Sequence, residues 1–158
     1  MIGQRRRSWL RSRRPPLAEG LPRYKRKYAV SEPSAVTRQV RVEVSCRYLP
    51  ERSEPRRGLW FFGYRIRITN EGQDTVQLLH RHWIITDADG HVSRVDGPGV
   101  VGEQPVLSSL ETFEYTSGCP LPTPFGSMRG SYEMLNSRGE TFDTEIPAFA
   151  LCMPGSLN

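Results

Sequence analysis

Three glycines in the stretch Val95–Pro105 have a spacing that can bind phosphate. Gly97, Gly99 and Gly102 form the pattern Gly-x-Gly-x-x-Gly. In dinucleotide-binding folds this pattern lets the backbone approach a pyrophosphate while a helix N-terminus points its N–H groups at the charge. Here the glycines are followed by a proline and by no helical periodicity. The strand-to-helix context of the dinucleotide-binding fold is therefore missing.

A weaker form of phosphate binding stays open for this loop. Consecutive backbone N–H groups in a glycine loop can form an anion-binding nest without a helix, and Arg94 is the nearest cation. Against this, Pro98 removes one donor, and Asp96 and Glu103 flank the loop with negative charge. The alternative is that the glycines only supply the positive φ angles of a loop between strands. The candidate nucleotide-binding or phosphate-binding residues are Gly97, Gly99, Gly102 and Arg94.

Histidines and aspartates in one stretch raise the question of a metal site. They are His80, His82, His91, Asp87 and Asp89. If an Asp-Gly turn at Asp89 closes a hairpin, His91 lies beside the turn and His82 lies on the order of 20 Å away, at ~3.3 Å per residue. His80 and His82 share a face, but two protein ligands do not normally hold a catalytic metal. We expect no metal site.

No arrangement of side chains in the sequence indicates an enzyme. The chain has no Gly-x-Ser-x-Gly motif, which is the signature of one class of activated serine nucleophile. The pair Glu111 and Glu114 could act as paired carboxylates, as could Asp87 and Asp89, but acids on turns and strand surfaces are far commoner than general acids. We expect no catalytic residues and no cofactor.

The elements that must position these side chains are β-strands. The segments "QVRVEVSCRY" and "WFFGYRIRITN" alternate apolar and polar residues, as half-buried strands do. Further short segments are separated by Gly, Asn and Asp turn signals, and no helical pattern persists for ten residues. The sequence therefore predicts an all-β fold, an antiparallel sandwich of about seven or eight strands whose sheets bury their apolar faces against each other.

Two aromatic residues are candidates for binding a partner. Because alternate residues of a strand face opposite ways, Phe61 cannot point with both Trp60 and Phe62. Part of this cluster therefore lies on the sheet surface, where Phe61 and Trp60 could form a patch that binds a protein. The alternative is that a loop or the N-terminal segment covers them.

The composition fits one globular domain in a reducing compartment. The chain has 158 residues, of which 37% are hydrophobic and 25% are charged. Its three cysteines, Cys46, Cys119 and Cys152, form no disulfide or metal-binding pattern, so we expect reduced thiols. No apolar run approaches the ~18 residues that cross a bilayer. We expect a cytoplasmic protein without a membrane span, which is not itself a channel or a pump.

The charge is divided unevenly along the chain. The net charge is +5, yet residues 1–41 carry 12 Lys/Arg against two acids, and the remaining 10 Lys/Arg face 15 acids. The first segment also contains consecutive prolines and little apolar periodicity, so it cannot bury enough surface to offset its ordering entropy. We predict a basic, disordered tail over residues 1–35 and a sandwich domain over residues 36–158.

The basic tail has three alternative roles. It could contact nucleic acid through phosphates, it could be an organelle-targeting segment because it is rich in Arg and poor in acids, or it could be a solvated extension. The arginines that would contact nucleic acid are Arg5, Arg6, Arg7, Arg11, Arg13 and Arg14.

Several longer motifs resemble one family. The segments "RHWIITD", "GPGVVGEQP", "YTSGCPL" and "GSMRGSYEM", within a run from Val40 to Pro154, are similar to the ApaG family. The resemblance implies an immunoglobulin-like or fibronectin type III-like sandwich. It also implies a link to cobalt resistance and magnesium efflux and a genetic neighbour that hydrolyses diadenosine tetraphosphate. The family domain recurs as a protein-binding module in eukaryotic F-box and polymerase-interacting proteins.

The resemblance assigns few residues. No catalytic residues are established for the family, so none carries over to this chain. The family's Gly-x-Gly-x-x-Gly, which has been discussed as a pyrophosphate site, corresponds to Gly97, Gly99 and Gly102.

Three functional hypotheses follow. The first is a non-catalytic adaptor that binds a protein partner and is linked to divalent-cation homeostasis. The second is a nucleotide or diadenosine-polyphosphate sensor that uses the glycine loop, and the third is nucleic-acid contact through the tail. We rank the adaptor first, because sandwiches without a chemical site commonly present surfaces to partners.

Overall fold

The computed structural model of this chain describes residues 32–153. Nearly all of the predicted basic tail, including the six arginines assigned to nucleic-acid contact, lies outside these residues. The first strand already begins at Ser34, two residues before the predicted domain boundary. Within the described range, no helix is long and apolar enough to cross a bilayer.

Nine strands and two short 3-10 helices make up the described residues. The strands are β1 (Ser34–Thr37), β2 (Val40–Tyr48), β3 (Trp60–Asn70), β4 (Val76–Asp87), β5 (Val92–Pro98), β6 (Val106–Leu107), β7 (Thr112–Leu121), β8 (Phe125–Asn136) and β9 (Thr141–Cys152). The 3-10 helices span Pro50–Arg52 and Pro55–Arg57. The sequence predicts about seven or eight short strands. Seven of the nine strands are longer than this, with 7–12 residues, whereas β1 and β6 have only four and two residues and are too short to show a period.

The strands form two antiparallel sheets packed as a sandwich, which confirms the predicted fold class. The first sheet has the order β1-β2-β3-β7, and the second has the order β5-β4-β8-β9, with β6 also paired to β4. The long strands β5, β7 and β9 lie at sheet edges, and each contains one proline. These prolines are Pro98, Pro120 and Pro147.

The core follows the period of two that the sequence shows. The fully buried residues of the first sheet include Val40, Val42, Val44, Phe62, Ile66 and Ile68. Those of the second sheet include Leu78, Met128, Met134, Ile146 and Leu151. Since burying one such side chain contributes about 1.5–3 kcal/mol, the contact between the sheets is the main source of stability.

Trp83 forms the aromatic centre of this core. Its ring lies edge-on to Tyr64 of the facing sheet, with centroids 5.4 Å apart. It also lies edge-on to Phe149 at 6.0 Å and to Tyr132 at 6.5 Å. Edge-to-face pairs of this kind add to the stabilisation from burial, so Trp83 holds β4 against β3, β8 and β9.

One buried hydrogen bond connects the two sheets through the core. The hydroxyl of Tyr115 on β7 is paired with the hydroxyl of Tyr132 on β8, and the two residues are 4% and 0% exposed. Each hydroxyl therefore satisfies the other away from water. Burial raises the pKa of both tyrosines above the ordinary value.

Two register shifts interrupt the second sheet. One lies in β4 between Leu78 and His80, and the other lies between Met128 and Gly130, where β8 pairs with β9. At Gly130 a Cβ would lie 1.9 Å from the carbonyl oxygen of His82. Strands β4 and β8 therefore approach each other closely at a point where only glycine fits.

The tyrosine pair generates a double-mutant test of stability. We expect Tyr132→Phe to lower the free energy of unfolding by about 1–3 kcal/mol, because it leaves the Tyr115 hydroxyl buried without a partner. The double variant Y115F/Y132F removes both hydroxyls and should be close to the unchanged protein in stability. Urea unfolding of Y115F, Y132F, the double variant and the parent measures this, and strictly additive losses would contradict it.

The stability that the tyrosine pair contributes decreases at high pH. The folded-state pKa values of Tyr115 and Tyr132 are raised. The stability that the two protonated hydroxyls contribute to the fold is therefore complete below the unfolded-state pKa of about 10, and it declines as the pH rises above that value. We expect the double variant to lose less stability than the parent between neutral pH and pH values above 10.

Candidate functional site

The glycine loop ends in a tight two-residue turn. The N–H of Val100 donates to the carbonyl of Glu103 at 2.8 Å, and the N–H of Glu103 donates to the carbonyl of Val100 at 2.9 Å. The two residues between them, Val101 and Gly102, have φ angles of 45° and 78°. Positive φ at both central positions is typical of a type I′ hairpin turn.

Close approach explains the other two glycines. Gly99 has a φ of 61°, and a Cβ on it would lie 2.3 Å from the carbonyl oxygen of Glu103. Gly97 lies within β5, where a Cβ would lie 3.1 Å from both terminal guanidinium nitrogens of Arg81. All three glycines of the motif therefore have a conformational or packing role that needs no ligand.

The N–H groups that a phosphate nest would use are largely engaged inside the loop. In addition to the mutual pair of Val100 and Glu103, the N–H of Gly99 donates to the carbonyl of Leu79 at 2.8 Å. A backbone N–H group that already donates a hydrogen bond of this length is not available to donate one to a phosphate. Nucleotide binding by this loop stays a prediction, and the occupied donors do not favour it.

The cation at the glycine loop is Arg81, which the sequence analysis did not identify. Its Nη1 donates to the carbonyl oxygens of Pro98 and Gly99, each at 2.9 Å. Arg94 instead pairs across strands with Ile84 and faces the outer side of the second sheet. The structure therefore does not bring Arg94 together with Gly97, Gly99 and Gly102, although the sequence predicts all four as candidate phosphate-binding residues.

The two candidate aromatic residues are covered within the chain. Trp60 packs against the core. Phe61 lies on the opposite face, where its ring occupies the space that a side chain at Gly118 would need. The guanidinium carbon of Arg52 lies 4.1 Å from the centroid of the Phe61 ring, which is a cation–π contact. The loop after β2 thus covers part of the Phe61 ring, both aromatic residues are partly buried, and partner binding by Phe61 and Trp60 stays a prediction.

His80 and His82 are each paired with a carboxylate on the outer face of the second sheet. His80 Nδ1 lies 3.0 Å from Oε1 of Glu133 on β8, and His82 Nδ1 lies 2.8 Å from Oδ1 of Asp96 on β5. The two imidazoles are thus directed to strands on opposite sides of β4. They do not converge on a common ligand position.

A third histidine belongs to the β4–β5 turn. Asp87, Asp89 and His91 have ligand atoms within 4.8 Å of one another, the one such group among residues 32–153. Asp87 Oδ1 accepts the backbone N–H groups of Asp89 and His91 at 2.9 and 3.0 Å. These bonds are those of an aspartate that stabilises a turn, and they account for the cluster without an ion.

A shallow groove of about 530 Å³ crosses the outer face of the second sheet. We call it the outer groove. Ile84 lines it, with Arg94 on one neighbouring strand and Arg129 on the other. The next row of paired residues, two positions along each strand, is Asp96, His82, Ser131 and Glu145. Opposite Arg129, the irregularity in β9 places Pro147 and Ala148.

The two arginines of the outer groove are not neutralised. Among residues 32–153, neither Arg94 nor Arg129 forms an ion pair or a side-chain hydrogen bond. On the first sheet, by contrast, Arg65 and Arg67 both bind Glu114. Burial alone would raise the pKa of Glu114, but the hydrogen bonds from these arginines outweigh burial and hold the pKa below its usual value.

One row of the outer groove has residue types that serve nucleophilic catalysis in other proteins. Asp96, His82 and Ser131 are cross-strand neighbours in that order. The Ser131 side chain, however, forms no hydrogen bond to His82 or to any other described residue. Strand β8 is paired on both sides, so its backbone N–H groups are not available as an oxyanion hole. The row therefore lacks the serine–histidine hydrogen bond of an acyl-transfer triad among the described residues.

Exposed apolar side chains lie on the same outer face, beside the outer groove. Val92 on β5 is 56% exposed and Phe125 on β8 is 44% exposed. Both share the outer side with the two arginines by strand alternation. A surface of this kind, with exposed apolar residues beside unpaired arginines, is typical of protein interfaces.

Comparisons with known proteins agree on one family. The model of the ApaG domain matches residues 50–136. Protein ApaG of Rhodospirillum centenum is 56% identical over 121 residues, which are 77% of this chain and 93% of that protein. Protein ApaG of Xanthobacter autotrophicus is 55% identical over 120 residues, 76% of this chain and 92% of that protein.

A solved structure shows the same architecture. The crystal structure of a Bordetella pertussis protein described as ApaA superposes with a TM-score of 0.72 at 48% sequence identity. It covers 79% of this chain and 98% of that one.

The turn geometry predicts unequal effects at two glycines. Gly102→Ala should destabilise the fold by about 1–2 kcal/mol, the cost of left-handed backbone for a residue with a Cβ. Gly99→Ala has the same cost and also places its Cβ against a carbonyl oxygen, so we expect a loss of about 3 kcal/mol or more. Chemical unfolding of the two variants compares them, and equal losses would show that the close approach at Gly99 is not a constraint.

Proposed function

The chain belongs to the ApaG family, and we propose that it is a non-catalytic module that binds a protein partner through the outer groove. The observation that carries this proposal is the pair Arg94 and Arg129, which lie exposed on either side of Ile84 without a counter-charge among residues 32–153. Arginines in this state retain their full capacity for charge-assisted hydrogen bonds.

The outer groove supports partner binding better than the predicted aromatic pair does. Trp60 contributes to the core, and Phe61 is already stacked with Arg52. The groove, in contrast, combines exposed apolar side chains with polar groups around a depression, which is the usual composition of a binding surface. A partner that used Phe61 would first have to displace an existing contact.

The cellular setting is part of the proposal. Cys46, Cys119 and Cys152 are free thiols, which is the usual state in the cytoplasm, and we place the protein there. The resemblance to the family implies a link to cobalt and magnesium homeostasis. We propose that this protein affects cobalt and magnesium homeostasis through the partner that it binds.

A selection of peptides tests whether the groove binds protein segments. Random peptides displayed on phage would be selected on the full chain and then measured on two variants, Ala148→Phe and Thr116→Phe. Ala148 lines the groove, whereas Thr116 is exposed on β7 of the other sheet. Both changes add the same ring to an exposed strand position, so they form a matched pair.

We expect Ala148→Phe to weaken the selected peptides about ten-fold or more, because its ring fills the groove, and Thr116→Phe to leave them within about two-fold. Urea unfolding confirms that both variants are folded. Peptides that bind the two variants equally well would refute the outer groove as the binding surface.

A further inference from the structure

The spacing of Arg94 and Arg129 in the outer groove favours the binding of a single negatively charged group between them. Because Arg94 and Arg129 are cross-strand neighbours of the same residue, Ile84, they are two strand spacings apart, or about 10 Å between Cα atoms. Two arginine side chains are long enough to reach a common position above Ile84 from this distance. A single carboxylate placed above Ile84 can therefore accept hydrogen bonds from both guanidinium groups.

Charge around the arginines limits where an acid can bind. The neighbouring row on one side contains Asp96 and Glu145, so a second acid there is repelled. The row on the other side is uncharged and contains Val92, Thr86, Ser127 and Ala150. The outer face of the second sheet thus has one positive row between a negative row inside the outer groove and a neutral row beside it.

The spacing of these rows matches an extended chain. Neighbouring rows are two residues apart along the strands, which is about 6.6–6.8 Å. The side chains at positions i and i+2 of an extended peptide have the same separation. Such a peptide lying along β4 can place one side chain on each row in succession.

We propose that the outer groove recognises an extended segment of a partner protein that has one acidic side chain as its anchor, bound between Arg94 and Arg129, and an uncharged side chain two positions away over Val92 and Thr86. The inference rests on the proposed function and specifies the partner's chemistry. The positive charge that would attract the acidic side chain is confined to Arg94 and Arg129, because the domain around the groove has more acidic than basic residues.

A peptide with the same sequence in both directions provides the probe. In Ac-Ser-Val-Thr-Glu-Thr-Val-Ser-NH2 the glutamate is central and a valine lies two positions away on each side, so either orientation fits the rows. Two companions replace the glutamate by Gln, which keeps the shape, or by Lys, which reverses the charge. Amide NMR shifts of the full chain at Arg94, Ile84 and Arg129 report binding.

We expect the Glu peptide to bind about ten-fold more tightly than the Gln peptide, since hydrogen bonds to a charged group are the stronger kind. Binding of the Glu peptide should weaken as salt is raised to 0.5 M, because the arginines are exposed. The Lys peptide should produce no saturable shift at these amides.

Charge reversal in the protein provides the second arm. The double variant R94E/R129E should reverse the order, so that the Lys peptide binds more tightly than the Glu peptide. The matched control is Arg56→Glu, which changes an exposed arginine of the 3-10 helix Pro55–Arg57 that has no ion-pair partner among the described residues. It should leave the order unchanged.

The outcomes separate this inference from the proposed function. If the Glu and Gln peptides bind equally, or none shifts the groove amides at millimolar concentration, the acidic anchor is wrong. If phage-selected peptides depend on Ala148 but not on Arg94 and Arg129, only the anchor fails and the binding module stands. If they are indifferent to Ala148→Phe, the proposed function fails.

Discussion

The register shift between Leu78 and His80 in β4 determines what each face of the second sheet presents. Val76 and Leu78 are buried, and strict alternation from them would direct His80 and His82 inwards and Arg81 outwards. The shift reverses this order. As a result, Trp83 reaches the aromatic centre, Arg81 reaches the glycine loop and the histidines face solvent.

The glycine loop and the outer groove are both consequences of this shift. With Arg81 on the inner side, its guanidinium group binds the carbonyls of Pro98 and Gly99 and needs the space beside Gly97. With Ile84 on the outer side, its two cross-strand neighbours become the arginines of the groove. One irregular position in β4 thus places Arg81 on the inner side of the sheet, and Arg94 and Arg129 beside Ile84 on the outer side.

Sequence reasoning recovered the architecture because the sandwich is encoded locally. Alternation in β2 and β3, together with further short segments separated by turn signals, was enough to predict a sandwich, whereas β1 and β6 were too short to carry a pattern. The outer groove could not be predicted from local sequence patterns. Arg129 lies 35 positions after Arg94, and only the pairing of β5, β4 and β8 shows that both flank Ile84. The glycine motif was conspicuous in the sequence, yet its spacing reflects a turn and the packing of Arg81.

The prolines of the edge strands affect how this protein behaves at high concentration. An edge strand has unpaired backbone groups that can template the addition of another chain, which is a common route to aggregation. Pro98, Pro120 and Pro147 each interrupt the row of N–H donors on β5, β7 or β9. Self-association by strand addition is therefore disfavoured at all three long edges, even though the outer face of the second sheet has exposed apolar side chains.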